Sequence, residues 1–170
     1  TDAASIMDTN NYNHSHNHDN YVCSAGNILH DNINFGRTFI NLNGDDYDLE
    51  ELERQSMMYL IMHEVGHTLG LNHNMKSSSI HTVSELYDGN KLKGKAISGS
   101  VMDYPALNLN PNPKIKSPYA DSSVGHYDKW AIEFGYKPFN SENERNEILS
   151  RSTEPLLIFG NDADILYSSR

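Results

Sequence analysis

Apolar positions are sparse at the start of the chain and gather toward its middle. The first thirty-odd residues are dominated by Asn, Asp, His and Ser, which favour turns over regular elements. The run Arg37 to Leu42 (Arg-Thr-Phe-Ile-Asn-Leu) is short and β-prone, and it predicts a strand, at a sheet edge or in a sheet interior. Asn43 to Asp48 then reads as a turn leading into a helix, its acids suited to the positive end of the helix dipole and Asp46 or Asp48 suited to the N-cap. The helix itself is predicted from about Leu49 to Gly70. One stripe carries Leu52, Tyr59, His63 and His67, and another carries Met58, Ile61, Val65 and Leu69, as expected of a helix covered on two sides. Met75 to Gly99 is polar and holds Lys76, Lys91, Lys93 and Lys95, which reads as surface structure. Pro105 to Pro118 contains four prolines and several Asn and must be loop. Val124, Tyr127, Trp130, Ala131 and Phe134 recur at helical spacing, predicting a second helix over Ser123 to Phe134 that Gly135, Tyr136 and Pro138 end. From Asn140 the mixed charges Glu142, Glu144, Arg145 and Glu147 suggest a solvated helical tail, and the apolar run Pro155 to Gly160 follows.

The chemistry of the chain lies in His63-Glu64-Val65-Gly66-His67-Thr68-Leu69-Gly70-Leu71-Asn72-His73. Residues four apart on a helix project from one side, so the imidazoles of His63 and His67 face a common point. Zinc accepts two neutral imidazoles plus a third ligand and keeps a fourth corner for water. His73 can be that third ligand only if the helix stops and the chain doubles back, and Gly70 lies where a positive φ would end it. Glu64 sits at the edge of the same face, where a carboxylate can take a proton from the activated water without binding the metal. A structural zinc site is the blander account. Such sites favour cysteine and a closed four-ligand shell, whereas this chain has one Cys.

At these residues the chain resembles the metzincin zinc endopeptidases, whose pattern is H-E-x-x-H-x-x-G-x-x-H. Ser100-Val101-Met102-Asp103-Tyr104 is similar to the family's second hallmark, the methionine turn. The likeness runs from roughly Tyr47 to Phe139 and is closest to bacterial envelope metalloproteases of the Ser-Val-Met-Asp-Tyr-Pro form. It implies an α+β, zincin-like domain with a long active-site helix, a Met-turn and a closing C-terminal helix. It implies zinc held by His63, His67 and His73, with Met102 as an apolar floor beneath the metal. Tyr104 is implied as a second catalytic residue beside Glu64, binding zinc or stabilising the oxyanion. An edge strand would hold an extended peptide by strand addition, the loop after the Met-turn would wall a side-chain pocket, and Asp128 best matches the Asp that hydrogen-bonds around that turn. Asn74 departs from the Glu, Asp or Ser of several subfamilies. Cys23 lacks the residues that flank the zinc-blocking propeptide cysteine of some metzincin zymogens, and it reads as a buried or half-buried thiol.

Composition bounds the remainder. With 170 residues and 37% hydrophobic positions the chain suits one core, and a mean hydropathy of −0.64 indicates long solvated loops. A net charge of −10 argues against nucleic acid or an anionic membrane as partner. No apolar run reaches the roughly 20 residues that cross a bilayer, and Thr1-Asp2-Ala3-Ala4 has no start Met or signal-like core, so the chain reads as a piece of something longer. Residues 1–139 are expected to form the catalytic domain, with N-terminal strands missing, and 140–170 an extension. A lone Cys23 settles no redox compartment, and an extracellular or envelope location is expected from the resemblance and from the acidic, Asn-rich surface.

Three further groups carry weaker signals. His14, His16 and His18 alternate, so an extended segment would present all three to one side; a His-rich polar loop is the blander account. The Asp45, Asp46 and Asp48 cluster could bind calcium, although acids at a helix start are more often caps. His81 and His126 read as surface residues. The expected activity is hydrolysis of peptide bonds in a protein or peptide substrate, by a metal-activated water with Glu64 as general base. A zinc-binding module without proteolysis and a zinc hydrolase of a non-peptide amide are the competing classes.

Overall fold

The computed structural model describes residues 23–44, 46–161 and 164. Helix α1 spans Ala25–Asn43 and α2 spans Leu49–Thr68, and the two pack against each other. The short α3 (Val83–Leu86) follows a 3-10 turn at Ser77–Ile80. Helices α4 (His126–Tyr136) and α5 (Glu142–Ser150) come next, with 3-10 turns at Arg151–Thr153 and Pro155–Leu157.

The expected α+β class is corrected here, because among the described residues there are helices and no strands. The predicted strand Arg37–Leu42 is the last part of α1. Its β propensity is local, whereas Ala25, Leu29, Ile33, Gly36 and Ile40 are buried at spacings of four, four, three and four, the period of a helix face. Helical order here comes from packing rather than propensity. Leu29, Ile33 and Ile40 share a core with Leu52 and Tyr59 of α2 and with Tyr119 and Ala120. A Cβ on Gly36 would come within 2.8 Å of Leu52 Cδ1 and 2.9 Å of Leu107 Cδ1, so this glycine permits the close approach. The segment also gains nothing from a sheet, since none of the described residues offers a strand to pair with.

Helix α2 begins as its acids predict. Glu51 N donates to the Asp48 carboxylate at 2.9 Å, which makes Asp48 the N-cap, and Glu50 and Glu51 lie in the first turn. The carbonyl oxygen of Gln55 accepts from Tyr119 N at 2.7 Å and Ala120 N at 3.2 Å, tying the helix to the later loop.

Beyond α2 the chain is largely irregular, and buried carboxylates organise it. Asp121 accepts from Ile97 N (2.7 Å), Ser98 N (3.2 Å) and Ser98 Oγ (2.5 Å). Asp103 accepts from Ser77 Oγ (3.0 Å) and Ser78 N (2.7 Å). Asp128, on α4, accepts from Ser100 Oγ (2.5 Å), Val101 N (3.0 Å) and Gly125 N (2.8 Å). Each satisfies backbone donors that a sheet would otherwise have paired. The bond from Gly125 explains why α4 starts three residues later than its apolar spacing predicts. Residues after 140 pack onto this region: Trp130 Nε1 donates to Ile148 O at 2.8 Å, and Met75 N donates to Gly160 O at 2.7 Å. No described helix is long and apolar enough to cross a membrane.

Candidate metal centre

The last turn of α2 and the chain just after it build the site. Gly70 adopts φ +81°, with Gly70 N donating to His67 O (3.0 Å) and Leu71 N donating to Gly66 O (3.0 Å). This pair of bonds is a Schellman ending, which satisfies carbonyls the stopped helix leaves open and turns the chain back. His73 thereby returns to the face that carries His63 and His67. Its Nε2 lies 3.1 Å from His67 Nε2.

Backbone carbonyls orient two of the rings. His63 is fully buried and its Nδ1 donates to Val101 O at 2.8 Å, while His67 Nδ1 donates to Leu71 O at 3.1 Å. With Nδ1 protonated, each Nε2 presents a lone pair toward the common point. The Val101 carbonyl belongs to the Ser100–Tyr104 turn, which Asp128 grips through Ser100 Oγ and Val101 N, so α4 supports His63 indirectly. Met102, entirely buried, rests against Gly66 so closely that a Cβ there would meet its sulfur at 2.3 Å.

A fourth group joins the three imidazoles. Cys23, one residue before the N-cap of α1, places Sγ 3.6 Å from His63 Nε2, 3.5 Å from Glu64 Oε1 and 3.4 Å from Tyr104 OH. The candidate ligand atoms of Cys23, His63, His67 and His73 all lie within 4.8 Å of one another. Tetrahedral zinc with Zn–N of about 2.0–2.1 Å and Zn–S of about 2.3 Å requires N···N near 3.3–3.4 Å and S···N near 3.6 Å. The 3.1 Å between His67 and His73 and the 3.6 Å between Cys23 and His63 are close to these values, and the other pairs lie within 4.8 Å.

The electrostatics are those of a cation site. Burial resists ionisation of Cys23, but hydrogen bonds from His63, His67, His73 and Tyr104 outweigh it and pull the thiol down to about 3. Glu64 moves the other way, raised by partial burial and by the adjacent sulfur charge. The sulfur lies 3.5 Å from the carboxyl, close enough for its charge to disfavour a second negative charge there. Hydrogen bonding to Cys23 is the main cause that raises His67. Protons and a metal ion compete for these same lone pairs.

His63, His67 and His73, read from spacing, come together, and Glu64 lies beside them. Tyr104 OH is 2.7 Å from His73 Nε2. His126 is exposed, His81 is half-buried, and neither joins the group. The carboxylate of Asp48 serves as a helix cap, while Asp45 and the histidines at 14, 16 and 18 lie outside the described residues.

Three contributors escaped the sequence reading. Cys23 is half-buried as expected, but its position at the histidines is unanticipated. Gly66 carried a signal, since glycine inside a helix is unfavourable unless something approaches its bare Cα. Asn74 is buried and links the turn to the chain's end: its N donates to Met102 O (3.0 Å), its Nδ2 to Ile158 O (2.9 Å), and its Oδ1 accepts from Gly160 N (3.1 Å).

Three imidazoles and a thiol converge on one point, with a carboxylate at the rim, and together they could hold a metal ion. Residues 45–169 match the Met-zincin family, and the chain belongs to it. The family implies zinc and a metallopeptidase-like function, and the His/Cys group supplies donors that fit that metal. No curated protein and no solved structure matches the chain.

Proposed function

We propose that this chain is a zinc-dependent endopeptidase in which His63, His67 and His73 hold the metal and Glu64 is the general base. The observation that carries this reading is the convergence of three imidazole nitrogens beside a carboxylate whose proton affinity is raised. When bound, zinc supplies Lewis-acid polarisation of water and of the scissile carbonyl. Glu64 takes the proton from the attacking water and delivers it to the departing amine nitrogen, work suited to a carboxylate whose proton affinity is raised. Tyr104 O–H, within hydrogen-bond reach of His73, turns to donate to the developing oxyanion. Met102, on the Met-turn, is entirely buried against Gly66 and supplies the apolar floor.

The substrate side chain has a place to go. A cavity of 520 Å³ opens beside Tyr104, lined by Phe35, Phe39, Val83, Leu86 and Leu107. Its lining favours a bulky apolar side chain over a charged one. A wider depression of 1130 Å³, lined by residues such as Tyr47, Arg54 and Lys93, includes none of the histidines.

Glu64→Gln tests the assignment. The expected result is loss of peptide hydrolysis by about 10²-fold or more with zinc retained, measured on casein and on a peptide library. Near-normal hydrolysis by this variant refutes the role of Glu64. A second reading has one observation in its favour: Cys23 completes four ligands, as in a structural zinc site. That reading expects zinc to be bound tightly and no peptide to be cut under any condition.

A further inference from the structure

We infer that the 1130 Å³ depression beside the start of α2 extends the substrate cleft and receives an acidic segment of the peptide, several residues from the bond to be cut. This inference rests on the proposed peptidase reading and names the substrate class of that same site. Continuity with the apolar cavity is the first ground. Tyr104 lines that cavity, Tyr87 lines both the cavity and the depression, and α3 stands at the divide, with Val83 and Leu86 on the apolar side and Ser84 on the other. The depression also takes in Glu51, Arg54 and Gln55 of α2, eight to twelve residues before His63. At 1.5 Å of rise per residue this is about 12–18 Å along the helix axis. An extended peptide covers such a span in about four to six residues.

Charge is the second ground. The chain carries −10, yet four cations, Arg54, Lys93, Lys114 and Lys116, line the depression against three acids. Each of those acids is already committed: Asp48 caps α2, Glu51 pairs with Arg54, and Asp88 accepts from Asn90 N and Lys91 N, both at 3.1 Å. Lys93 and Lys114 are exposed and form no ion pair among the described residues. Between Lys91 and Lys116 the sole acid is Asp103, which is buried and bonded to Ser77 and Ser78. At 0.1 M salt charges act over roughly 10 Å, so the sign a bound segment meets is set by these lining groups rather than by the chain's total. The walls are also built. Asn110 Nδ2 donates to Tyr87 O at 3.0 Å and Tyr47 OH donates to Asn110 O at 2.9 Å. A Cβ on Gly89 would meet Lys116 O at 2.3 Å, so the turn that leads to Lys93 is seated directly on the segment that holds Lys114 and Lys116. Cations carried on fixed walls leave less ordering for binding to oppose.

The test measures binding apart from turnover, on the full zinc-loaded chain carrying Glu64→Gln. The probes are fluorescein-labelled peptides with a run of glutamates about five residues from a phenylalanine, on its N-terminal or its C-terminal side. Each has a counterpart with glutamine in place of glutamate. In fluorescence anisotropy at about 0.05 M salt, the glutamate peptide of at least one order is expected to bind at least about fivefold more tightly than its counterpart, and the gap should close at about 0.5 M. Adding Lys93→Glu and Lys114→Glu together is expected to abolish the gap. Lys129→Glu makes the same kind of charge change on α4, outside the depression, and is expected to keep it. In the chain with Glu64 intact, the same preference should appear in kcat/KM, mainly through KM. Equal binding of glutamate and glutamine peptides in both orders overturns the inference, as does a gap that survives the double lysine change or is lost equally with Lys129→Glu. Peptides cleaved without any such gap leave the peptidase reading standing and this inference refuted. A gap that behaves as expected in a chain that cuts no peptide leaves the acidic-segment site standing, and the peptidase reading fails.

Discussion

Replacing Asp128 by Asn changes one atom and tests whether the turn beneath the histidines is held from α4. The Asp128 side chain is 3% exposed and accepts three hydrogen bonds, from Ser100 Oγ at 2.5 Å, Val101 N at 3.0 Å and Gly125 N at 2.8 Å. An asparagine can keep its oxygen toward the two backbone donors and turn its amide toward Ser100, whose hydroxyl can reverse. What is lost is charge assistance. A hydrogen bond to a charged group contributes about 1.5–3 kcal/mol and a neutral one about 0.5–1.5, so two weakened backbone bonds cost about 2–3 kcal/mol in all. Asp128→Ala leaves those donors and the serine hydroxyl unpaired at about 1–3 kcal/mol each, which approaches the whole stability of a domain. Urea unfolding of the zinc-loaded protein measures both. The turn also carries the carbonyl that orients His63, and losing such outer support typically costs 10- to 100-fold in metal affinity. Zinc competition with a chromophoric chelator should therefore show weaker binding by Asp128→Asn. Loss of stability with zinc affinity unchanged would refute the coupling between α4 and His63.

Other perturbations probe separate parts of the account. Gly66→Ala sets a Cβ 2.3 Å from Met102 Sδ, so the sulfur must move roughly 1 Å to reach ordinary contact; overpacking of this kind costs about 1–3 kcal/mol. The double variant with Met102→Ala should recover part of that loss in urea unfolding, and strict additivity would contradict the contact. Gly70→Ala forces a Cβ into φ +81°, costing about 1–2 kcal/mol, and by shifting His73 it should lower zinc affinity; retention of wild-type affinity in chelator titration counts against the Schellman ending as the device that returns the chain. Burial pushes Asp121 up to about 6 despite its bonds from Ser98 and Ile97. Its folded value lies above its unfolded one, so its contribution is fully present below about pH 4 and is lost as pH rises through about 6. The stability difference between wild type and Asp121→Asn should accordingly shift against the wild type across that window, and a flat difference refutes the direction.

The site was more legible in the sequence than the fold around it. His63, His67, Gly70 and His73 are bound by local rules, the pitch of a helix and the φ of its ending, so spacing alone carries their geometry. The capping role of Asp48 was open for the same reason. Helix α1 was not, because five Asn and two Gly between Ala25 and Asn43 dilute a weak period that only packing on Leu52 and Tyr59 makes decisive. Cys23 joins the centre across 40 residues of sequence, and no local pattern connects it to His63. The same holds for Asn74, whose partners at 158 and 160 lie at the other end of the chain.

The central claim is that three imidazoles of one helix end and its return loop bind a single zinc ion. X-ray absorption at the zinc edge of the loaded protein tests it most directly. The account predicts three imidazole nitrogens at about 2.0–2.1 Å, falling to two in His67→Ala. A zinc shell with fewer than three imidazoles, or one unchanged by His67→Ala, would contradict it.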